Sequence, residues 1–130
     1  MKVKEIMSFP VIAEDEDVPV AKIIKHMELS RVGSVVITSE GKTKGIIVDQ
    51  DIAAKVILND INPDEMKAKE IMSSPVITVE ADASVEDVSG IMARKGMRRL
   101  PVIEHGVLVG IISIRNILTG KPKHVKKYLF

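Results

Sequence analysis

Two kinds of apolar spacing alternate along this chain, and together they predict a mixed fold of helices and strands. A helical core face is indicated by apolar residues at i, i+3, i+4 and i+7, namely Val20, Ile23, Ile24 and Met27. This helix is predicted to begin at Asp17 as its N-cap, with Pro19 in the first turn. The β-branched runs at residues 32–38 and 45–48 predict two strands separated by a polar turn.

The second of these strands is predicted to run directly into another helix. That helix extends from Asp51 to Leu58, with Ile52, Val56 and Leu58 turned inward. A carboxylate at the start of a helix caps it and interacts favourably with the positive end of its dipole. Because backbone N–H groups face outward at such an end, residues 45–52 form a candidate ligand site.

The whole arrangement is repeated at a fixed spacing of 65 residues. Residues 1–12 align with residues 66–77 at ten identical positions of twelve, and residues 45–52 reappear as residues 110–117. One spacing without gaps serves both ends of the repeat, which indicates an internal duplication. Each repeat reads β-α-β-β-α. Each is too short to bury much surface alone, so the two are expected to pack face to face around two related sites.

The repeat also suggests where the chain divides. We predict a first domain at residues 1–58, a polar linker at 59–65, a second domain at 66–120 and a basic tail at 121–130. The predicted helix boundaries of the second domain are Ser84 and Ser113 as N-caps and Gly96 and Gly120 as terminators.

Composition narrows the classes of function. The 130-residue chain is 45% hydrophobic with a net charge of +1, which fits a globular protein without a basic field for nucleic acid. With no Cys there is no disulfide and no thiolate metal site. No apolar run approaches the roughly 20 residues of a membrane span, and no apolar signal region follows the N-terminus. We therefore expect a cytoplasmic protein.

Several segments of the chain together resemble a known protein family. The segment Lys4-Glu5-Ile6-Met7-Ser8-Phe9-Pro10-Val11, the helix, Val35-Val36-Ile37 and the stretch at 45–52 resemble a cystathionine-β-synthase-type (CBS) domain. The second repeat matches with residues 97–103 before its own junction at Gly110. The resemblance covers nearly the whole chain. It implies an α+β tandem CBS domain pair, also called a Bateman module, with two β-α-β-β-α repeats in pseudo-two-fold symmetry.

Such a pair is similar to regulatory modules that bind adenine nucleotides. The resemblance implies that AMP, ADP, ATP or S-adenosylmethionine binds in the cleft between the repeats and causes a conformational change. It also implies a homodimer formed mainly through helices, and an unknown regulated protein as partner. No catalytic set is readable, so an enzyme is not expected. A dimerising scaffold that has lost its ligand, or a weak binder of nucleic acid or a partner protein, stays open as an alternative.

The ligand motif of the family is Gly-h-h-Thr/Ser-x-x-Asp, where h is apolar, and the early extended piece of one repeat lines the other's site. The first repeat keeps Asp51 but has Val48 where the hydroxyl belongs, and the second keeps Ser113 but has Asn116 for the acid. The resemblance thus implies the ligand-binding residues Ser8, Pro10, Ile12, Gly33, Ser34, Asp51, Ser73, Pro75, Ile77, Arg98, Arg99, Ser113, Arg115 and Asn116. Residues 8–12 would face Asn116, and residues 73–77 would face Asp51.

Each of these residues also has a plain structural interpretation. Asp51 can be an ordinary carboxylate at a helix start, and Ser113 a simple N-cap. Arg98 and Arg99 can be solvated surface residues instead of phosphate ligands. If the ligand interpretation holds, the two sites are unequal. The arginines and Ser113 then favour charged nucleotides at Asn116, and the Asp51 site binds them more weakly or prefers a nucleoside.

The remaining polar features carry less information. His26, His105 and His124 lack the spacing of metal ligands, so no metal site is expected. The methionines are interpreted as core filler. The basic tail is interpreted as a solvated or dimer-packing segment, with a weak patch for a partner, nucleic acid or anionic membrane as the alternative. Because the second repeat aligns without the tail, residues after Gly120 are predicted to be dispensable for ligand binding.

Overall fold

The structure, a computed structural model, describes residues 1–127, and its elements follow the predicted repeat. The first repeat contains β1 (Ala13–Asp15), α1 (Val20–Ser30), β2 (Ser34–Ser39), β3 (Lys42–Val48) and a short helix α2 (Asp49–Asp51) that continues as a π-helix (Ile52–Ile57). The second contains β4 (Val79–Glu80), α3 (Val85–Lys95), β5 (Arg99–Glu104), β6 (Val107–Ser113) and α4 (Ile114–Thr119). A single 3-10 turn precedes each set, at Val3–Glu5 and Ala68–Glu70. The predicted order β-α-β-β-α is confirmed in both repeats.

Each repeat contributes one three-stranded sheet, in the order β1-β2-β3 or β4-β5-β6. The first pair of each sheet is parallel and the second pair is an antiparallel hairpin. β2 is the central strand of its sheet, and its Val35, Val36 and Ile37 are fully buried. Burial on both faces explains why this strand reads as a continuous apolar run and not as an alternation.

The chain folds into two compact units whose boundaries differ from those of the sequence repeats. Unit 1 comprises Met1–Val11 with Ile77–Val125, and unit 2 comprises Ile12–Val76 with Lys126 and Lys127 of the described tail. Each unit therefore contains most of one repeat and the opening segment of the other. In unit 1 the amide of Val3 donates to the carbonyl of Ala83 at 2.9 Å, and in unit 2 the amide of Ala68 donates to Val18 at the same distance.

Most predicted helix ends are confirmed. Ser84 Oγ accepts a hydrogen bond from the Asp87 amide at 3.1 Å and so caps α3. Gly96 and Gly120 end α3 and α4 in the left-handed conformation, with φ of 66° and 68°. The prediction of Asp17 as N-cap of α1 is wrong, because the cap position is held by Pro19, which makes no side-chain cap bond.

The helix predicted over residues 51–58 also differs from the expectation. From Ile52 the backbone widens to i→i+5 bonding, as in the 3.0 Å bond from the Leu58 amide to the Ala53 carbonyl. The predicted inward direction is confirmed for Ile52 and Val56, which are buried, but Leu58 is 80% exposed. Leu58 lies six positions after Ile52, which is about 240° around an ordinary α-helix, so the helical spacing itself already places it off the core face.

A polar pair lies beneath α1 in unit 2, where the helical spacing predicts only apolar packing. His26 is buried, and its Nδ1 lies 3.4 Å from Glu14 Oε2, which also lies 3.4 Å from Lys22 Nζ. The equivalent positions in the other repeat are Val79 and Ile91. The core of unit 2 is therefore more polar at this point than the core of unit 1.

Equivalent ion clusters attach each opening segment to its unit. Asp82 lies 2.9 Å from Lys4 and 3.4 Å from Lys2, and at the same spacing in the repeat Asp17 lies 2.9 Å from Lys69 and 3.7 Å from Lys67. The hydrogen bond from Lys4 holds the pKa of Asp82 below its ordinary value of 3.8, and the bond from Lys69 does the same to the pKa of Asp17.

These shifts predict an acid-sensitive part of the stability. A carboxylate whose pKa is lower in the folded chain stabilises it above the unfolded pKa and loses that effect as the pH falls through the folded pKa. We expect the free energy of unfolding to fall between about pH 5 and about pH 3, and the Asp17→Asn, Asp82→Asn double variant to show a flatter profile. Urea titrations across this range measure both. Because the groups are exposed, the difference should shrink in high salt; a profile unchanged by the double variant would contradict this prediction.

Candidate functional site

Two strand–helix junctions carry the predicted ligand motif, and each is crossed by an extended segment at a glycine. At the Asn116 junction (residues 110–117), Ser8 exchanges two backbone hydrogen bonds with Ile111, at 2.8 and 3.0 Å. A Cβ atom on Gly110 would lie only 2.8 Å from the Ser8 carbonyl oxygen. The motif therefore needs glycine here because the crossing backbone leaves no space for a side chain.

The Asp51 junction (residues 45–52) is built in the same way. Ser73 exchanges backbone hydrogen bonds with Ile46, at 2.9 and 3.2 Å. A Cβ on Gly45 would lie 2.7 Å from Met72 Sδ and 2.8 Å from the Ser73 carbonyl oxygen. The equivalent contacts in the two units place a serine beside each junction, as expected from the sequence.

Asn116 is held by four hydrogen bonds within unit 1. Its Oδ1 accepts from the Ser113 amide and the Ser113 hydroxyl, both at 2.9 Å, and its Nδ2 donates to Ser8 Oγ at 3.0 Å and to the Lys121 carbonyl at 3.4 Å. An asparagine side chain offers two lone pairs and two N–H donors. All four are in use, and the residue is only 3% exposed. In this conformation Asn116 has no bond left for a ligand hydroxyl.

Asp51 has the equivalent position in unit 2 but different partners. Its Oδ2 accepts from the Val48 amide at 2.8 Å, and its Oδ1 lies 3.3 Å from Lys55 Nζ. An ionised carboxylate has about four lone-pair sites, so this one keeps acceptor capacity that Asn116 lacks. The difference follows directly from the Asp-to-Asn difference between the repeats.

The other basic and small residues of the candidate set lie on the strands beside the junctions. Arg99 pairs with Ser113 across β5 and β6, which brings a guanidinium-bearing residue next to the capping serine. In unit 2 the equivalent pair is Ser34 and Val48, which offers neither positive charge nor a hydroxyl at the motif position. Arg98 and Arg115 are exposed.

Backbone bonds hold the loops before these strands against the helix starts. The carbonyl of Arg98 accepts from the Ile114 amide, and the carbonyl of Gly33 accepts from the Asp49 amide, both at 3.0 Å. Gly33 and Arg98 therefore occupy equivalent positions beside the two junctions, as the repeat predicts.

The two extended segments of the candidate set, residues 8–12 before β1 and 73–77 before β4, are each divided between the units. Ser8, Pro10 and Ile77 belong to unit 1, and Ile12, Ser73 and Pro75 belong to unit 2. The expected contact of residues 8–12 with Asn116 is made by Ser8, whereas Ile12 accepts a backbone bond from Val36 in unit 2 at 2.9 Å.

Residues 121–125 of the tail pack within unit 1. The Val125 amide donates to the Phe9 carbonyl at 3.0 Å, and the His124 and Phe9 rings meet edge to face with centroids 4.9 Å apart. With the Lys121 carbonyl on Asn116, residues 121–125 run beside the candidate site. Nucleotide binding without the tail stays a prediction. Residues 128–130, the apolar end of the tail, lie outside the described residues.

Two contributors to these junctions were not identified from the sequence. Lys55 follows Asp51 by four residues, a spacing at which opposite charges pair on a helix, so that signal was available. The role of Lys121 rests on its backbone carbonyl and has no sequence signal. Among residues 1–127, no group of three His, Asp or Glu side chains is placed to hold a metal ion. None of the helices in that range has the length and apolar character needed to cross a membrane.

Comparison with known proteins agrees with this geometry. The family model for the CBS domain matches residues 3–57 and 68–122. An uncharacterised protein of Methanopyrus kandleri is 39% identical over 94% of this chain, which spans 63% of that relative's length. The CBS domain-containing protein YhcV of Bacillus subtilis is 27% identical over 92% of this chain and 84% of its own.

Solved structures show the same fold. The CBS domain pair of protein MJ0100, in complex with 5′-methylthioadenosine and S-adenosyl-L-methionine, superimposes with a TM-score of 0.81 at 29% identity over 92% of this chain and 96% of its own. A hexameric CBS-CP12 protein from bloom-forming cyanobacteria gives a TM-score of 0.84 at 31% identity, over 91% of this chain and 69% of its own. The duplicated junctions, the sheet order and these matches together establish that the chain belongs to the CBS domain family, with two CBS domains in tandem.

Proposed function

We propose that this chain is a regulatory module that binds an adenosine-containing ligand, of the class AMP, ADP, ATP or S-adenosylmethionine, and transmits a conformational change to a regulated protein. The observation that carries the proposal is the Asp51 junction, where a carboxylate with spare acceptor capacity stands at a strand–helix start crossed by a backbone at Gly45. Two adenosine compounds in the CBS pair of MJ0100 support the ligand class.

The contacts favour Asp51 over Asn116 as the residue that binds ribose. A ribose diol needs acceptors, and the two oxygens of Asp51 accept from Val48 and pair with Lys55 while keeping unused lone pairs. The amide of Asn116 would have to give up a bond to Ser8, Ser113 or Lys121 first. The sequence predicts that charged nucleotides bind more tightly at Asn116. We propose instead that the stronger ribose contact is made at Asp51.

A thermal-shift and calorimetry screen of adenosine, AMP, ADP, ATP and S-adenosylmethionine tests the proposal. A ligand at 100 times its dissociation constant should add about 2.7 kcal/mol to the free energy of unfolding. Asp51→Ala should weaken the tightest event by about tenfold or more, the scale of hydrogen bonds to a charged group. Arg99→Ala should leave that event in place. If Arg99→Ala abolishes it and Asp51→Ala does not, ribose binding is assigned to the wrong unit.

One observation favours a second function, that of a dimerising scaffold without a ligand. Neither junction has the complete motif, since Val48 replaces a hydroxyl residue and Asn116 replaces an acid. The hydrogen-bonding groups of Asn116 are also already used within the chain. No thermal shift with any of the five compounds would favour this function over ligand sensing.

We also propose that the chain forms a homodimer through its helices. Apolar side chains near the ends of the last helix of each repeat are exposed: Ile57 by 68%, Leu58 by 80% and Leu118 by 81%. In unit 1 a crevice of about 490 Å³ between α3 and α4 is lined by Met92, Met97, Ile114, Ile117 and Leu118, among others. Covering these surfaces removes apolar area from water. The hexameric CBS-CP12 neighbour shows that a related fold assembles.

Light scattering of the purified chain at micromolar concentration should give twice the monomer mass. A Leu58→Glu, Leu118→Glu double variant should shift the protein toward monomer, since it places charges on the apolar surface. The same change to glutamate at exposed Val107, which lies on β6 and not on a helix, is the control. A monomeric wild-type chain would contradict the proposed dimer.

A further inference from the structure

Lys55 is bound at the Asp51 junction by two acceptors that belong to different parts of unit 2. Its Nζ donates to the Ile71 carbonyl at 2.8 Å and lies 3.3 Å from Asp51 Oδ1. The first contact reaches the segment that crosses Gly45, and the second reaches the carboxylate proposed to bind ribose. The ammonium group is therefore held at the Asp51 junction by two protein contacts.

The contacts leave this ammonium one N–H for a ligand. A lysine ammonium has three donors, and only two protein acceptors are within reach of it among residues 1–127. The side chain is 43% exposed, whereas that of Asp51 is 12% exposed. A ligand that approaches Asp51 from solvent thus meets an ammonium with an unused donor beside a carboxylate whose charge it balances.

The other unit has no equivalent of this group. The position 65 residues later is Gly120, which ends α4 in the left-handed conformation with φ of 68°. There the group that reaches the motif residue is the uncharged carbonyl of Lys121, at 3.4 Å from Asn116 Nδ2. In unit 2 the chain instead continues into the π-helix that carries Lys55. A charged side chain at this helix position is therefore specific to the Asp51 junction, whereas unit 1 has its arginines on and just before β5.

We propose that Lys55 determines the ligand specificity of the Asp51 junction, and that it selects an adenosine ligand carrying a phosphate over an uncharged one. This inference rests on the proposed function. Unit 2 has Val48 where the family motif has a hydroxyl, and Gly33 and Ser34 where unit 1 has arginines. Lys55 supplies the charge that these positions lack. When ribose hydroxyls bind Asp51, the flexible lysine stem lets the ammonium turn from Asp51 toward the phosphate.

Calorimetry with two ligands and two variants tests this role. AMP carries the phosphate, and adenosine is the same ligand without it. Lys55→Met removes the charge but keeps an unbranched side chain that suits a helix. Lys42→Met removes the same charge from an exposed position at the start of β3, away from the junction. Thermal unfolding of each variant shows that it is folded before binding is measured.

We expect the wild-type chain to bind AMP more tightly than adenosine, with a ratio that decreases as salt rises. Lys55→Met should reduce that ratio by about tenfold or more, the scale of one hydrogen bond between charged partners, with adenosine binding retained. Lys42→Met should keep the wild-type ratio. If adenosine and AMP both bind and Lys55→Met leaves their ratio unchanged, the role of Lys55 is refuted while the proposed function stands. If the wild-type chain binds adenosine as tightly as AMP, or binds neither, the role of Lys55 is refuted, whereas the proposed function is refuted only if ADP, ATP and S-adenosylmethionine also fail to bind.

Discussion

Replacing Gly45 or Gly110 with alanine is expected to destabilise the chain by about 1–3 kcal/mol, the usual cost of forcing a methyl group into a packed site. At Gly45 the new Cβ would lie 2.7 Å from Met72 Sδ and 2.8 Å from the Ser73 carbonyl oxygen. The methionine side chain can move. The carbonyl cannot move independently, because Ser73 is held by two backbone bonds to Ile46.

The same substitution should also weaken ligand binding in the affected unit. Alanine pushes the crossing segment away from the junction, and at Gly45 that segment includes Ile71, whose carbonyl holds Lys55. Urea unfolding and AMP calorimetry on each variant measure the two effects.

Gly90→Ala is the matched control for this prediction. Gly90 lies inside α3, and a Cβ there would meet only the flexible end of Arg94, at 3.1 Å. Glycine inside a helix costs about 0.5–1 kcal/mol relative to alanine, so this variant should be neutral or slightly more stable. Equal unfolding midpoints for the Gly45→Ala and Gly90→Ala variants would show that the crossing segment yields easily, contrary to our expectation.

Replacing Asn116 with alanine should cost about 2–4 kcal/mol, because it leaves several polar groups of unit 1 without partners. The Ser113 amide and hydroxyl both donate to its Oδ1, and Ser8 Oγ accepts from its Nδ2. The residue is 3% exposed, so water replaces these bonds poorly. Chemical denaturation gives the loss directly, and hydrogen exchange of the Ser113 amide reports it locally.

Two further variants separate this structural role from a role in ligand binding. Asn116→Asp keeps an acceptor for Ser113, and the Ser8 hydroxyl can rotate to donate to it, so this variant should lose less stability than Asn116→Ala. Asp51→Ala should also lose less, because it leaves only the Val48 amide without a partner, while the half-exposed Lys55 keeps its bond to the Ile71 carbonyl. If Asp51→Ala is the more destabilising of the two alanine variants, the internal bonding of Asn116 is weaker than the geometry indicates.

The structure also indicates why the two junctions, which the repeat makes equivalent, can differ in stability and in the polar groups that they offer to the proposed ligand. At Asn116 the chain itself satisfies the polar groups of the motif, which stabilises unit 1 and leaves less for a ligand. At Asp51 a charged pair is held near the surface, which contributes little stability but leaves a carboxylate and an ammonium available. A module with one closed and one receptive junction would respond to a single adenosine ligand, whereas two equivalent junctions would respond to two.

The sequence by itself determined the features that depend on local spacing. The repeat, the order of helices and strands, the caps at Ser84 and Ser113, and the terminating glycines follow from periodicity and backbone preferences within a few residues. The family resemblance, rather than periodicity, placed Ser8 near Asn116. The predictions failed at Asp17, which pairs with Lys69 instead of capping α1, and at Leu58, which is exposed because it lies off the helix face that buries Ile52 and Val56.

Only the tertiary structure decided how the polar groups at each junction are satisfied. The partners of Asn116 include a side chain 108 residues earlier and the carbonyl of Lys121, and Lys55 reaches the carbonyl of Ile71. Every residue presents the same backbone carbonyl group, whatever its side chain. No sequence pattern therefore reveals which carbonyl will accept a bond. The path of the backbone makes that choice, and here it fills the hydrogen bonds of Asn116 while leaving acceptor and donor capacity at Asp51 and Lys55.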